Sequence, residues 1–148
     1  MTEIRFYHLS QKSLTQALPE LLEKVIERGW RAVVMASSPE RVEALTQTLW
    51  TYNDRGFLPH GNAKDGNAEM QPIWLTPKDE NPNKANVLML TENTTSENLS
   101  SYELVCQLFD EQDEGAVDAA RTRWAEYKGL GHALTYWQQS ETGWAKRA

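Results

Sequence analysis

The chain has 148 residues and a formal net charge of -6, a length that one domain fills while burying about two-thirds of the surface its unfolded form exposes. The negative balance excludes an unaided grip on another polyanion such as duplex DNA, unless basic residues gather locally. A single cysteine, Cys106, excludes an intramolecular disulfide, and no run approaches the roughly 20 apolar residues of a membrane helix.

The opening Met1-Thr2-Glu3-Ile4-Arg5 lacks the basic start and long apolar stretch of a signal peptide, so a soluble, cytoplasmic protein is expected. Residues 4–9 alternate and carry Phe6 and Tyr7, which predicts a strand, and Gln11-Lys12-Ser13 reads as a turn. Leu14, Leu18, Leu21, Leu22, Val25 and Ile26 then recur every three or four residues, one apolar stripe on a helix that closes at Gly29. The run 31–36 is short, apolar and β-branched, as suits a strand buried on both faces. Ser37-Ser38-Pro39-Glu40 supplies a serine cap, a first-turn proline and an early acid for a second helix, whose apolar side is read as Val42, Leu45, Leu49 and Trp50.

Between 51 and 71 the pattern breaks into turn residues around the apolar island Phe57-Leu58-Pro59-His60, a connection long enough to suggest function or mobility. Strands are predicted over 72–75, 86–90 and 103–109. The acidic turn from Asp110 to Gly115 leads into a helix over about 116–130, ended by Gly129 or Gly131. Alternating strands and helices predict one domain over 1–148, an α/β three-layer sandwich around a largely parallel sheet, with Rossmann-like or P-loop-like topology.

Ligand signatures are missing from that frame. The turn after the first strand holds no glycine, and no segment has the phosphate-binding spacing of glycines before Lys and Ser or Thr, so a nucleotide site is not expected. His8, His60 and His132 stand far apart without ligand-type spacing, so no metal and no other cofactor is expected. Cys106 lies in an apolar run that raises a thiol pKa and makes it a poor nucleophile. The acids after 109 lack the spaced ligands and fixed glycine of a calcium loop, and read as a solvated turn favouring the next helix N-terminus. No catalytic residue is assigned.

Two features remain. On the last helix Val117, Arg121, Trp124 and Lys128 share one stripe, while Ala116, Ala120, Tyr127 and Leu130 form a second that suits the core. Two cations beside an indole match an acidic peptide ending in an aromatic residue and a free carboxylate; the plainer alternative is a solvated face with Trp124 half buried beside cationic stems. The second feature is Trp50 with Phe57 and Pro59 around the long loop, either plugs for the domain's own core or a contact surface for another protein.

The order Phe6-Tyr7-His8-Leu9, Arg41 to Trp50, Phe57-Leu58-Pro59-His60-Gly61, Pro72-Ile73-Trp74, and Ala120-Arg121-Thr122-Arg123-Trp124-Ala125-Glu126-Tyr127-Lys128-Gly129 resembles, almost end to end, the chi subunit family of bacterial DNA polymerase III. The resemblance implies a nucleotide-binding-like fold without a working nucleotide site. It also implies a non-catalytic adaptor that meets the clamp loader through the psi subunit and holds the acidic C-terminal tail of single-stranded DNA-binding protein, touching nucleic acid only indirectly and no membrane. By position, Val117, Arg121, Trp124 and Lys128 match the tail-binding helix; Trp50, Phe57 and Pro59 match the surface for psi, which receives a helicase in some bacteria. Ala125 stands where well-known members carry a lysine, and another family lysine is missing near Val117; Arg123, Lys146 and Arg147 are the candidates to compensate. The segment 135–148, with Trp137 and Trp144, has no role by resemblance. The readings from other classes are a nucleotide-dependent α/β enzyme and direct DNA binding by the last helix.

Overall fold

A computed structural model describes residues 2–51, 59–140 and 143–148. Strand β1 (Glu3–Leu9) leads into helix α1 (Leu14–Glu27), strand β2 (Ala32–Met35) and helix α2 (Pro39–Thr51). Strands β3 (Ile73–Thr76), β4 (Val87–Leu90) and β5 (Leu104–Asp110) follow, then helix α3 (Ala116–Gly129) and strands β6 (Ala133–Ser140) and β7 (Gly143–Lys146).

The local signals explain most of these boundaries. Ser38 Oγ accepts the Arg41 N–H at 3.2 Å, fixing the start of α2 with Pro39 as its first residue. Gly29 and Gly131, at φ +77° and +84°, take the left-handed turns just past α1 and α3, where a side chain would be strained.

The strands form one seven-stranded sheet in the order β3-β2-β4-β5-β1-β6-β7, parallel except for the antiparallel β6–β7 pair. The largely parallel α/β sheet agrees with the sequence reading. The first strand lies between the fifth and sixth, however, an order unlike the 3-2-1-4-5-6 of dinucleotide-binding domains. Leu18, Leu22, Leu45, Val34, Met89 and Leu108 fill the core beneath α1 and α2. Phe6, Val33, Leu90, Val105, Ala120 and Tyr127 fill a second core on the α3 side. With both faces covered, the central strands are buried residue after residue rather than alternately.

Two expectations need correction. Trp50 does not belong to the buried side of α2: Val42, Leu45 and Leu49 are buried, but Trp50, on the last turn, is 53% exposed. Leu130 falls at the C-cap of α3 and is 72% exposed, so the core stripe of that helix stops at Tyr127. The segment after 132, left without structure by the sequence reading, forms β6 and β7. On the opposite edge the long connection returns as an extra rung: the Gly61 N–H donates to Ile73 O at 3.0 Å and the Leu75 N–H to Gly61 O at 2.9 Å.

Candidate functional site

Helix α3 packs over β5 and β6, and the residues on its β6 flank meet an aromatic cluster rooted in β1. Phe6, fully buried, meets the Trp124 ring edge-on at 5.3 Å and lies 6.0 Å from Tyr127 and 6.5 Å from Phe109. Tyr136 of β6 stands 6.1 Å from Trp124, also near-perpendicular. Edge-to-face pairs of this kind add to the apolar burial of the rings. Trp124 is therefore half buried, seated between Phe6 and Tyr136 at the boundary of core and solvent.

The cations of the stripe stand outside this seat. Arg121 and Lys128 are exposed; the Arg121 side chain is 77% exposed, and its partner Asp118 lies 4.0 Å away with 88% exposure. An open pair at that distance holds the guanidinium weakly, leaving it available to another anion. Val117 is partly buried against the same core. The four residues singled out from the sequence thus lie on one flank, two apolar members inward and two charged members outward.

The structure adds Tyr136 to this flank. Its hydroxyl shares a 2.7 Å hydrogen bond with His8 Nδ1, and His8 Nε2 lies 3.0 Å from Glu111 Oε2. This chain fixes the ring that backs Trp124. Burial pushes the phenol above its ordinary value, while the positive charge of Arg121 pulls it back.

The structure also separates the three candidate replacements for the missing family lysines. The Arg147 N–H donates to Tyr136 O at 2.7 Å, so strand alternation sets Arg147 beside Tyr136 on the α3 side. Arg123 turns away, its Nη2 donating to Asn93 O at 2.9 Å. Lys146 opposes Trp137 and belongs to the other side of the sheet.

Residues 1–135 match the family model described as DNA polymerase III chi subunit, HolC. The chain belongs to the DNA polymerase III chi subunit family. A curated relative, "Probable DNA polymerase III subunit chi" of Rickettsia prowazekii (strain Madrid E), is 33% identical over 94 residues. The matched stretch covers 64% of this chain and 57% of that relative.

Of the second feature read from the sequence, Trp50 and Pro59 fall among the described residues. Trp50 lies 4.6 Å from the ring of His60, which is buried with Nε2 3.2 Å from Thr46 O; Pro59 is half buried nearby in sequence. Phe57 lies outside the described residues.

At the carboxyl ends of β1 and β5 a crevice of about 270 Å³ is lined by Arg41, Glu92, Gln107, Asp110, Asp113 and Arg123, among others. In α/β domains this is where ligands bind. The neighbouring turn after β1 has its backbone donors already engaged: the N–H groups of Ser10, Gln11 and Lys12 all donate to Gln139 Oε1, at 3.0, 2.9 and 2.9 Å. A side chain from β6 thus occupies the concavity in which such folds hold a phosphate oxygen.

Buried among apolar neighbours, the Cys106 thiol is pushed up to about 12. Among the described residues, no three His, Cys, Asp or Glu side chains cluster as metal ligands, and no helix is long and apolar enough to cross a membrane.

Tyr136 and Gln139 escaped the sequence reading because they lie on a strand it did not assign. The usable signal was period-two alternation over 134–139, which separates Leu134, Tyr136 and Gln138 from Thr135, Trp137 and Gln139.

Proposed function

We propose that this chain is a non-catalytic accessory subunit of bacterial DNA polymerase III that joins the clamp loader, through psi, to the acidic C-terminal tail of single-stranded DNA-binding protein. The observation that carries this reading is the α3 flank, where exposed Arg121 and Lys128 border the half-buried Trp124. The cations neutralise the tail's carboxylates, and the edge of the Trp124–Tyr136 pair holds its terminal ring. Exposed charge contacts contribute at most about 1 kcal/mol each and weaken with salt, so the apolar seat supplies much of the affinity. Arg147 restores positive charge to a face that has Ala125 where the chi family has lysine.

The exposed Trp50 indole supports a separate surface for psi, or for a helicase, at the far end of α2. Two surfaces on separate helices allow both partners to be held at once, as an adaptor requires. The test is calorimetric titration of the tail peptide into the wild-type chain and Arg121→Ala. The variant should bind about five-fold more weakly at low salt, a change of about 1 kcal/mol. Equal affinity would place the tail elsewhere.

A further inference from the structure

The side of the sheet opposite α3 carries a second array of aromatic and basic residues. In the β6–β7 ladder Trp137 opposes Lys146 and Gln139 opposes Trp144, and across the parallel β1–β6 pair Arg5 and Tyr7 are partners of Thr135 and Trp137. Directly opposed residues share a face, so Arg5, Tyr7, Trp137, Trp144 and Lys146 all project to the α1 side. Helix α1 packs over β5, and β1, β6 and β7 carry these side chains beside it, Tyr7 buried and the other four at least partly exposed.

The indoles are held in place yet partly exposed. Trp144 stands edge-on to Tyr7 at 4.9 Å, and Trp137 Nε1 donates to Thr135 Oγ1 at 2.9 Å. Trp137 and Trp144 are diagonal neighbours on an antiparallel pair, which places their Cα atoms about 7–8 Å apart. Along the adjoining flank of α1, Lys24 and Arg28 line a narrow slot with Arg5, Tyr7 and Trp30, and the Arg28 guanidinium lies 3.7 Å over the Trp30 ring. Glu3 engages Arg5, but no ion pair among the described residues engages Lys24, Arg28 or Lys146, all three exposed.

From this arrangement we propose that the α1-side face of β1, β6 and β7 is a binding platform for single-stranded nucleic acid. Bases stack on Trp137 and Trp144, while Lys24, Arg28 and Lys146 take backbone phosphates. Interleaved cations and aromatic rings match a chain that alternates charge with flat apolar rings. Duplex DNA keeps its base faces stacked and meets the chain's net charge of -6 without that gain. The family model matches residues 1–135, so Trp137, Trp144 and Lys146 lie beyond the match.

The site is independent of the tail-binding flank on α3. The test is fluorescence anisotropy of a labelled thymidine oligonucleotide titrated with the full chain over a range of salt. Three phosphate contacts predict a slope of about -2 in log affinity against log salt. Lys24→Ala combined with Lys146→Ala should flatten that slope to about -0.7, and Trp144→Ala should lower affinity about ten-fold. Because Trp144 also packs on Tyr7, the exposed lysine pair keeps the test decisive if the tryptophan variant unfolds. No binding at low salt, equal binding of a duplex of the same length, or affinity lost with Arg121→Ala but kept in the lysine variant would each overturn the proposal.

Discussion

Trp124 and Trp50 look alike in the sequence, each a large aromatic on a helical stripe, yet they sit in opposite circumstances. Trp124 is wedged between Phe6 and Tyr136, and Tyr136 is tied through His8 to Glu111. Trp50 projects from the last turn of α2, half in solvent, beside the His60 ring. The first indole belongs to the core and offers only an edge to a partner; the second offers most of its surface. A contact built on Trp124 is preorganised, whereas one built on Trp50 gains more from burying fresh apolar area.

The largest effect should come from removing the root of the preorganised cluster. Phe6→Ala leaves a cavity beneath Trp124 and Tyr127 and should destabilise the fold by about 3–5 kcal/mol in denaturant unfolding. Next, Trp124→Ala should lose about 2–3 kcal/mol, since its ring packs against both Phe6 and Tyr136, while Trp50→Ala, where the indole is about half exposed and touches His60, should lose about 1 kcal/mol. Equal losses at the two positions would erase the contrast. Arg147→Ala should leave the unfolding midpoint in place but weaken the tail peptide about three-fold at low salt, by calorimetry, as suits one exposed charge contact; an unchanged affinity would remove Arg147 from the site.

The smallest effect concerns pH. Burial raises the Tyr136 phenol above its ordinary 10.0, so its neutral form is favoured in the folded chain. That contribution is complete below the phenol's unfolded value and is lost as pH rises through the folded one. Ultraviolet titration of Tyr136→Phe against wild type should therefore remove a late-ionising tyrosine; loss of an early-ionising one would show that the ring is solvated.

Helix stripes and buried apolar runs made α1, α2, α3 and the first five strands legible, because their patterns follow directly from helix and strand periodicity. The four residues of the α3 stripe were legible for the same reason. Their division into inward and outward members was not, since Val117 and Trp124 differ from Arg121 and Lys128 by only tens of degrees around the helix, and the neighbouring strand decides which side is covered. Position of β1 between β5 and β6 was equally hidden: strand order depends on pairings across the whole chain, as between Phe6, Gln107 and Tyr136. The hairpin after 132 was missed because its polar residues, such as Gln138, Gln139 and Ser140, mask the alternation.

Gln139 makes the two ends of the chain depend on each other. Its carboxamide oxygen stands where a bound anion would, so the first turn of the protein is completed only after nearly the last strand has been laid down. Ending the chain at residue 135, the last that the family model matches, would strip three amides of their acceptor, and hydrogen exchange would speed up at Ser10, Gln11 and Lys12, more than a hundred residues from Gln139 in sequence.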